Sequence, residues 1–376
     1  SATLGWIISE EAFMDGFNNM NLLKLRLSYG ILGSDKIGDY RYISLLSGEG
    51  TYVLDNQLVN GRAIGPLANS SIKWEESKQF DIGFDMNFFN DRLEFTADYF
   101  NKETANLLIE DIPVSGIFGV RAPGAAGPTA NAGTVRNSGF EFSVGYRGMI
   151  GSNFSYQVNY NLTALENEVL EVNNGTGFVE GGGFGVGQPA PARMEVGFPI
   201  GYFYGYQTNG IFQSQAEVEA HPSQAALGAE AQSGDIRIVD TNGDGEINTD
   251  DKTMIGDPIP STIMGLNLTL KYKGFDFSAY TFASIGNDIV RNFERTQPNV
   301  NRMTYIMDRW TGPGTSNEVP RVTTAATSNN VFSDYYVEDG SYVRIQRIAL
   351  GYRIPENTTM KIGIRTVRFY VSVSNP

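Results

Sequence analysis

The sequence predicts an all-β protein, a transmembrane antiparallel β-barrel with long extracellular loops. Three observations predict it. Apolar and polar residues alternate with period two through segments of about 9–16 residues, long enough for a tilted membrane-spanning strand. Tight turns and long irregular stretches alternate between those segments, as in an outer-membrane barrel with short periplasmic turns. Only 19% of the 376 residues are charged, while aromatics reach 12% and there are 43 glycines; an ordinary soluble domain carries about 25% charge.

Each strand follows from the residues. Phe80, Ile82, Phe84, Met86 and Phe88 are separated by Asp81, Gly83, Asp85 and Asn87. Asn90-Asp91 is a turn signal, and Leu93, Phe95, Ala97 and Tyr99 then alternate with Glu94, Thr96 and Asp98. Phe140, Phe142, Val144 and Tyr146 repeat the pattern, and after a Gly-Ser-Asn turn so do Phe154, Tyr156, Val158, Tyr160 and Leu162. Leu266 to Tyr272 and Phe275 to Thr281 form a further pair around Lys273-Gly274, and Val367 to Val373 closes the series. Val343 and Ile345 begin on one face, yet Ile348, Leu350 and Tyr352 continue on the other, so a β-bulge is expected near Gln346–Arg347. The long stretches are 108–137, 166–200, 214–260 and 287–335. A soluble all-β sandwich also alternates, but no repeat of 20–50 residues supports a solenoid or propeller. No stretch approaches the roughly 20 apolar residues of a membrane helix.

Composition removes whole classes of chemistry. Lys and Arg total 28 against 42 Asp and Glu, a net charge of −14, which disfavours nucleic acid as a partner and anchoring by a polybasic patch. There is no cysteine and a single histidine, His221, so disulfides, thiolate sites and multi-histidine metal sites are excluded. Gly181 to Gly187 lacks phosphate-loop spacing and reads as a flexible loop. No nucleophile elbow is present, and a glycosidase carboxylate pair has no support beyond the abundance of acids.

The sharpest motif is Asp240 to Asp251. Calcium takes six to eight oxygens, and a 12-residue loop supplies them from positions 1, 3, 5, 7, 9 and 12. Those positions hold Asp240, Asn242, Asp244, Glu246 (through its carbonyl), Asn248 (directly or through water) and Asp251. Gly245 occupies the sharp turn at position 6, and Ile247 at position 8 can pin the loop to the fold. The expectation is a structural calcium; the same residues also suit a pair of Asn-Gly and Asp-Gly turns with solvated carboxylates.

Several stretches carry a family resemblance: Asn21 to Gly30, Trp74 to Ser77, Phe95 to Phe100, Asn131 to Glu141, Pro199 to Gly205, Gly234 to Asp251, Ile255 to Pro258 and Ser341 to Gln346. In order and in combination they resemble the SusC/RagA group of TonB-dependent outer-membrane transporters of Bacteroidota. The resemblance implies part of a 22-stranded barrel. It also implies a SusD-like surface lipoprotein as a lid, an oligosaccharide or peptide ligand, contact with outer-membrane lipid, and coupling to the TonB complex through a segment not in this chain. Residues 1–376 are then expected to be the C-terminal part of the barrel domain, without the plug, in the cell outer membrane of a Gram-negative bacterium. No enzymatic activity is expected. Phe178, Phe184 and Tyr202 suit either stacking on sugar rings or packing against a lid. The alternatives are a calcium-containing surface lectin or adhesin, and a secreted polysaccharide-degrading enzyme.

Overall fold

In the computed structural model, residues 1–34, 36–46, 48–110, 112, 126–185, 190–293 and 300–376 are described. Alternation becomes a sheet of ten strands. They are β1 (Ala2–Ile7), β2 (Met20–Ser34), β3 (Glu75–Phe88), β4 (Leu93–Ile109), β5 (Ala130–Ile150), β6 (Phe154–Val172), β7 (Thr262–Tyr272), β8 (Phe275–Ile285), β9 (Tyr342–Arg353) and β10 (Arg368–Ser374). Each pairs antiparallel with the next in chain order. The other short strands lie inside the connections.

Register aligns the apolar faces across the whole sheet. Leu23, Met86, Phe95, Val144, Tyr160, Leu266, Thr281 and Ile345 stand directly opposite one another, strand after strand. One residue along, Lys24, Asp85, Thr96, Ser143 and Asn161 make the corresponding polar row. Because side chains alternate strictly, a slip of one residue would exchange these two faces. Phe80, Phe84, Phe140, Phe142, Leu266 and Leu350 remain exposed, a contiguous apolar area larger than a water-facing surface tolerates. At the short-turn ends, Tyr146 meets Tyr156, Phe154 meets Tyr272, and Phe275 meets Tyr352 with ring centroids 5.8, 6.5 and 4.5 Å apart. Such an aromatic row marks a membrane interface.

The expected bulge is present. Tyr280 faces Arg347 and Thr281 faces Ile345, leaving Gln346 as the extra residue. It keeps Val343 and Ile345 on the apolar face together with Ile348, Leu350 and Tyr352. On the polar face Arg26 bridges Asp85 and Asp98 at 2.8 and 2.9 Å, Ser28 donates to Asp81, and Arg136 pairs with Glu168.

At one end of the sheet three connections turn tightly and two, residues 8–19 and 354–367, are of intermediate length, while the longest lie at the other end. Phe89–Arg92, residues 151–153 and Lys273–Gly274 turn tightly, with Asn90, Asp91 and Lys273 at positive φ. The long excursions are 35–74, 110–129, 173–261 and 286–341. The first escaped the sequence reading, and 108–137 shrinks because β4 and β5 continue pairing through register shifts after Thr104. Within that stretch, residues 111 and 113–125 lie outside the described residues. β5 has 21 residues and so extends on the order of 70 Å, more than twice the roughly 30 Å hydrocarbon core. The surplus rises on the long-loop side, where Val135 and Val169 are buried with Met194.

Candidate functional site

The protein's buried cores lie mainly in the long excursions. The described parts of 173–261 and 286–341 pack against each other into a loop body. Strands Phe178–Gly181, Ala192–Glu195, Tyr202–Gly205 and Thr253–Gly256 form one small antiparallel sheet. Thr208–Ile211 pairs with Ile236–Ile238, and Asp288–Val290 with Val337–Asp339. One core joins Phe184, Phe203, Phe332 and Tyr336; another joins Tyr206, Ile236, Ile238 and Ile247.

Buried polar groups lock the two excursions together. Gln224 receives the Ile238 N–H and donates to the Ile236 carbonyl and Ser328, while Asn329 accepts the Ile236 N–H. Asp235 is fully buried and takes the Arg321 guanidinium as well as Asn329 and Thr327. Sequence reasoning missed Asp235; its pairing with a residue far along the chain leaves no local signal.

Of the three loop aromatics, Phe184 and Tyr202 are buried inside the loop body, which takes those two away from a ligand or a lid, while Phe178 is half-buried. Phe184 packs edgewise on Tyr336 with centroids 4.9 Å apart. Tyr202 is buried, and its hydroxyl donates to Glu195 at 2.5 Å; burial and that carboxylate push its phenol well above the ordinary value. Phe178 lies under the Arg193 guanidinium, which also covers Tyr204, at 3.9 and 3.6 Å from the two rings. His221 meets Phe212 edgewise and bonds its neighbour's carbonyl, a packing role.

The acidic loop has a definite shape. Asp240 accepts the Gly243 and Gly245 N–H groups at 2.7 and 2.9 Å. Asn242 accepts the Asp244 N–H, and Asp244 accepts that of Glu246. Gly243 and Gly245 sit at φ 75° and 85°, where a side chain is disfavoured. Asp251 is buried and reaches back across the loop, accepting from Thr241 N and Asn248 N at 2.9 and 2.8 Å. Ile247 is buried in the second core, as its position suggested. The twelve-residue span is thus closed end to end and oxygen-rich. Among the described residues no three acidic or imidazole side chains converge closely enough to hold a metal ion.

Above these cores the loop body is grooved. A cleft of about 840 Å³ includes Arg291, Phe293, Tyr305, Asn317 and Glu338 in its wall. A second, of about 460 Å³, shares Tyr305 and Tyr335 with it and continues to Arg302, Arg309 and Arg321. Arg291 spreads over Tyr335 at 4.6 Å and bonds Glu338. Near the small sheet, burial lowers the Lys252 ammonium and raises the Asp257 carboxyl, which Asp288 raises further.

Residues 37–375 match the family described as TonB dependent receptor-like, beta-barrel. The chain belongs to the TonB-dependent receptor β-barrel family. A TonB-dependent receptor of Formosa agariphila is 32% identical over 378 residues, covering 100% of this chain and 36% of the relative. The TonB-dependent receptor SusC of Bacteroides thetaiotaomicron is 28% identical over 393 residues, again covering 100% of this chain and 36% of the relative. Among solved structures, that of the RagAB peptide transporter superposes with a TM-score of 0.77 at 21% identity, covering 100% of this chain and 40% of that one; this is a likeness of fold. The chain therefore spans a little over a third of the curated relatives it matches. The SusC/RagA resemblance and the TonB-dependent barrel fold expected from the sequence are both borne out.

Proposed function

We propose that this chain is the barrel portion of an outer-membrane importer that works with a SusD-like surface lipoprotein and takes up oligosaccharide or peptide fragments. One observation carries the reading. The aligned apolar rows leave one face of the sheet exposed while the longest excursions, 35–74, 110–129, 173–261 and 286–341, gather at one end, which is where a ligand and a lid would arrive. The apolar face argues against the soluble lectin, adhesin and secreted-enzyme alternatives, because its exposure in water would promote aggregation. Energy would come from the TonB complex acting on parts of the transporter outside these residues. No residue is proposed as catalytic.

The test is made with the full-length protein in its native host. Detergent-dependent extraction, heat-modifiable migration and co-purification of a lipoprotein are expected. So is uptake of a labelled fragment that stops when a protonophore collapses the inner-membrane gradient. A water-soluble monomer with no effect on uptake would overturn the proposal.

The loop Asp240–Asp251 is proposed to take one structural calcium through Asp240, Asn242, Asp244, the Glu246 carbonyl and Asp251. Its spacing and its oxygen-only donors support this, while Asp251 closes the loop by accepting the Thr241 and Asn248 N–H groups. Calorimetry on the full-length protein should show calcium binding that Asp240→Ala abolishes. An absence of heat, or an unchanged titration in the variant, removes the metal and leaves a loop held by its own hydrogen bonds.

A further inference from the structure

Two connections at the short-turn end of the sheet are longer than a tight turn, residues 8–19 and 354–367, and both expose apolar side chains. In the second, Glu356–Thr359 makes one helical turn and Met360–Ile362 a 3₁₀ turn. Thr359 is buried within it; its hydroxyl bonds the Glu356 carbonyl at 3.2 Å, and its own carbonyl accepts the Ile364 N–H at 3.1 Å. Closure around Thr359 leaves Met360, Ile362 and Ile364 55%, 71% and 45% exposed. Lys361 and Arg365 are interleaved with them and are exposed as well. Arg365 approaches Glu356 at 3.7 Å with both side chains open to solvent, a contact worth little.

We propose that the connection 354–367 rests in the lipid leaflet at the short-turn end and binds the phosphates of anionic phospholipid through Lys361 and Arg365. The inference rests on the barrel lying in a membrane and is independent of what is transported. Position makes lipid the occupant. The Arg353 N–H donates to the Gly274 carbonyl, which ties the start of the connection to the Lys273–Gly274 turn. There Tyr352 meets Phe275 on one side, with ring centroids 4.5 Å apart, and stands directly opposite Phe369 on the other. Met360, Ile362 and Ile364 thus adjoin the aromatic row that marks the membrane interface. In a headgroup layer, apolar side chains enter the acyl boundary while long cationic ones reach the phosphates. Charge separates this connection from its counterpart. Residues 8–19 expose Phe13 and Phe17 but carry Glu10, Glu11 and Asp15 and no cation, so they suit the same interface without a preference for anionic lipid.

The test uses the full-length transporter in vesicles of equal parts phosphatidylethanolamine and phosphatidylglycerol, with one lipid or the other brominated on its acyl chains as a quencher. Residues 1–376 contain no cysteine. With any cysteine elsewhere replaced by serine, Leu350→Cys, Phe13→Cys and Ile362→Cys are each labelled with a fluorophore. Leu350 is exposed on the apolar face, and its label should be quenched equally by both lipids. At position 362 brominated phosphatidylglycerol should quench about fivefold more than brominated phosphatidylethanolamine, the preference that one cation gives near an anionic surface. Position 13 should show no preference. Lys361→Gln combined with Arg365→Gln should bring the ratio at position 362 close to one, with unchanged melting showing that the fold survives. No quenching at position 362, equal quenching there by both lipids, the same preference at position 13, or a ratio unaltered in the double variant overturns the inference. So does a preference abolished by inorganic phosphate but not by chloride at equal ionic strength, which marks a site for the free anion. Quenching at position 350 alone would leave the barrel in the membrane and the import reading standing without it. No quenching at position 350 would remove both.

Discussion

Arg321 donates through Nε and Nη2 to the two oxygens of Asp235, which is fully buried and lies 86 residues earlier in the chain. The pair joins the excursion 173–261 to the excursion 286–341. Removing one partner strands the other charge away from water, which costs about 3 kcal/mol or more. Asp235→Ala should therefore loosen the loop body without dismantling the sheet. Limited proteolysis should cut both excursions faster in the variant, while heat-modifiable migration is retained. Proteolysis indistinguishable from the parent would show that the pair is not what holds them together.

Deleting Gln346 removes the bulge and leaves Ile345, Arg347 and Ile348 consecutive opposite Thr281, Tyr280 and Ala279. Ile348, Leu350 and Tyr352 would then keep the apolar face and their register with β8 and β10, whereas deleting Ala349 would turn Leu350 and Tyr352 to the polar face. The Gln346 deletion should therefore still give the detergent-extractable, heat-modifiable band, and the Ala349 deletion should lose it. Gln346→Ala keeps the count of residues and should assemble normally.

The contrast between β9 and Asp235 explains what could be read in advance. Period-two alternation is a local property, so Phe80 to Phe88, the Lys273-Gly274 turn and even the Gln346 bulge are visible in a few neighbouring residues. Spacing also marked the Asp240–Asp251 loop, down to the burial of Ile247. The loop body is different. Phe184 reaches Phe332 and Tyr336, and Gln224 reaches Ser328, contacts made across a hundred residues or more of intervening chain. Nothing near Phe178, Phe184 or Tyr202 distinguishes an aromatic that packs inward from one that awaits a sugar. The cleft of Arg302, Arg309 and Arg321 is likewise assembled only once the excursion folds back on itself.

Phe184 supplies a direct check on that correction. It is buried against Phe203, Phe332 and Tyr336, and truncating a buried Phe costs about 3–5 kcal/mol through lost transfer energy and the cavity left behind. Phe184→Ala should lower the melting temperature of the loop body and leave ligand affinity, measured well below that temperature, nearly unchanged. A variant that melts like the parent but loses affinity would return Phe184 to the ligand surface.

Tyr206 makes the loop body sensitive to alkali. Its ring is buried beside Ile236, Ile238 and Ile247, and burial, assisted by the negative charge of Asp251, pushes its phenol up to about 12. An unfolded tyrosine titrates near about 10. The folded state therefore holds this proton more tightly, so its contribution to stability is fully present below about pH 10 and is lost as pH rises through about 12. Lys252, whose ammonium lies 5.4 Å from the same ring and is lowered by burial, acts in the opposite sense over lower pH. It is common to the parent and to a Tyr206→Phe variant, so it cancels in their difference. Melting temperatures measured at intervals from pH 9 to 12 should diverge, the parent falling more steeply than Tyr206→Phe above pH 10. Parallel curves across that interval would mean that Tyr206 ionises as freely in the folded protein as in the unfolded chain.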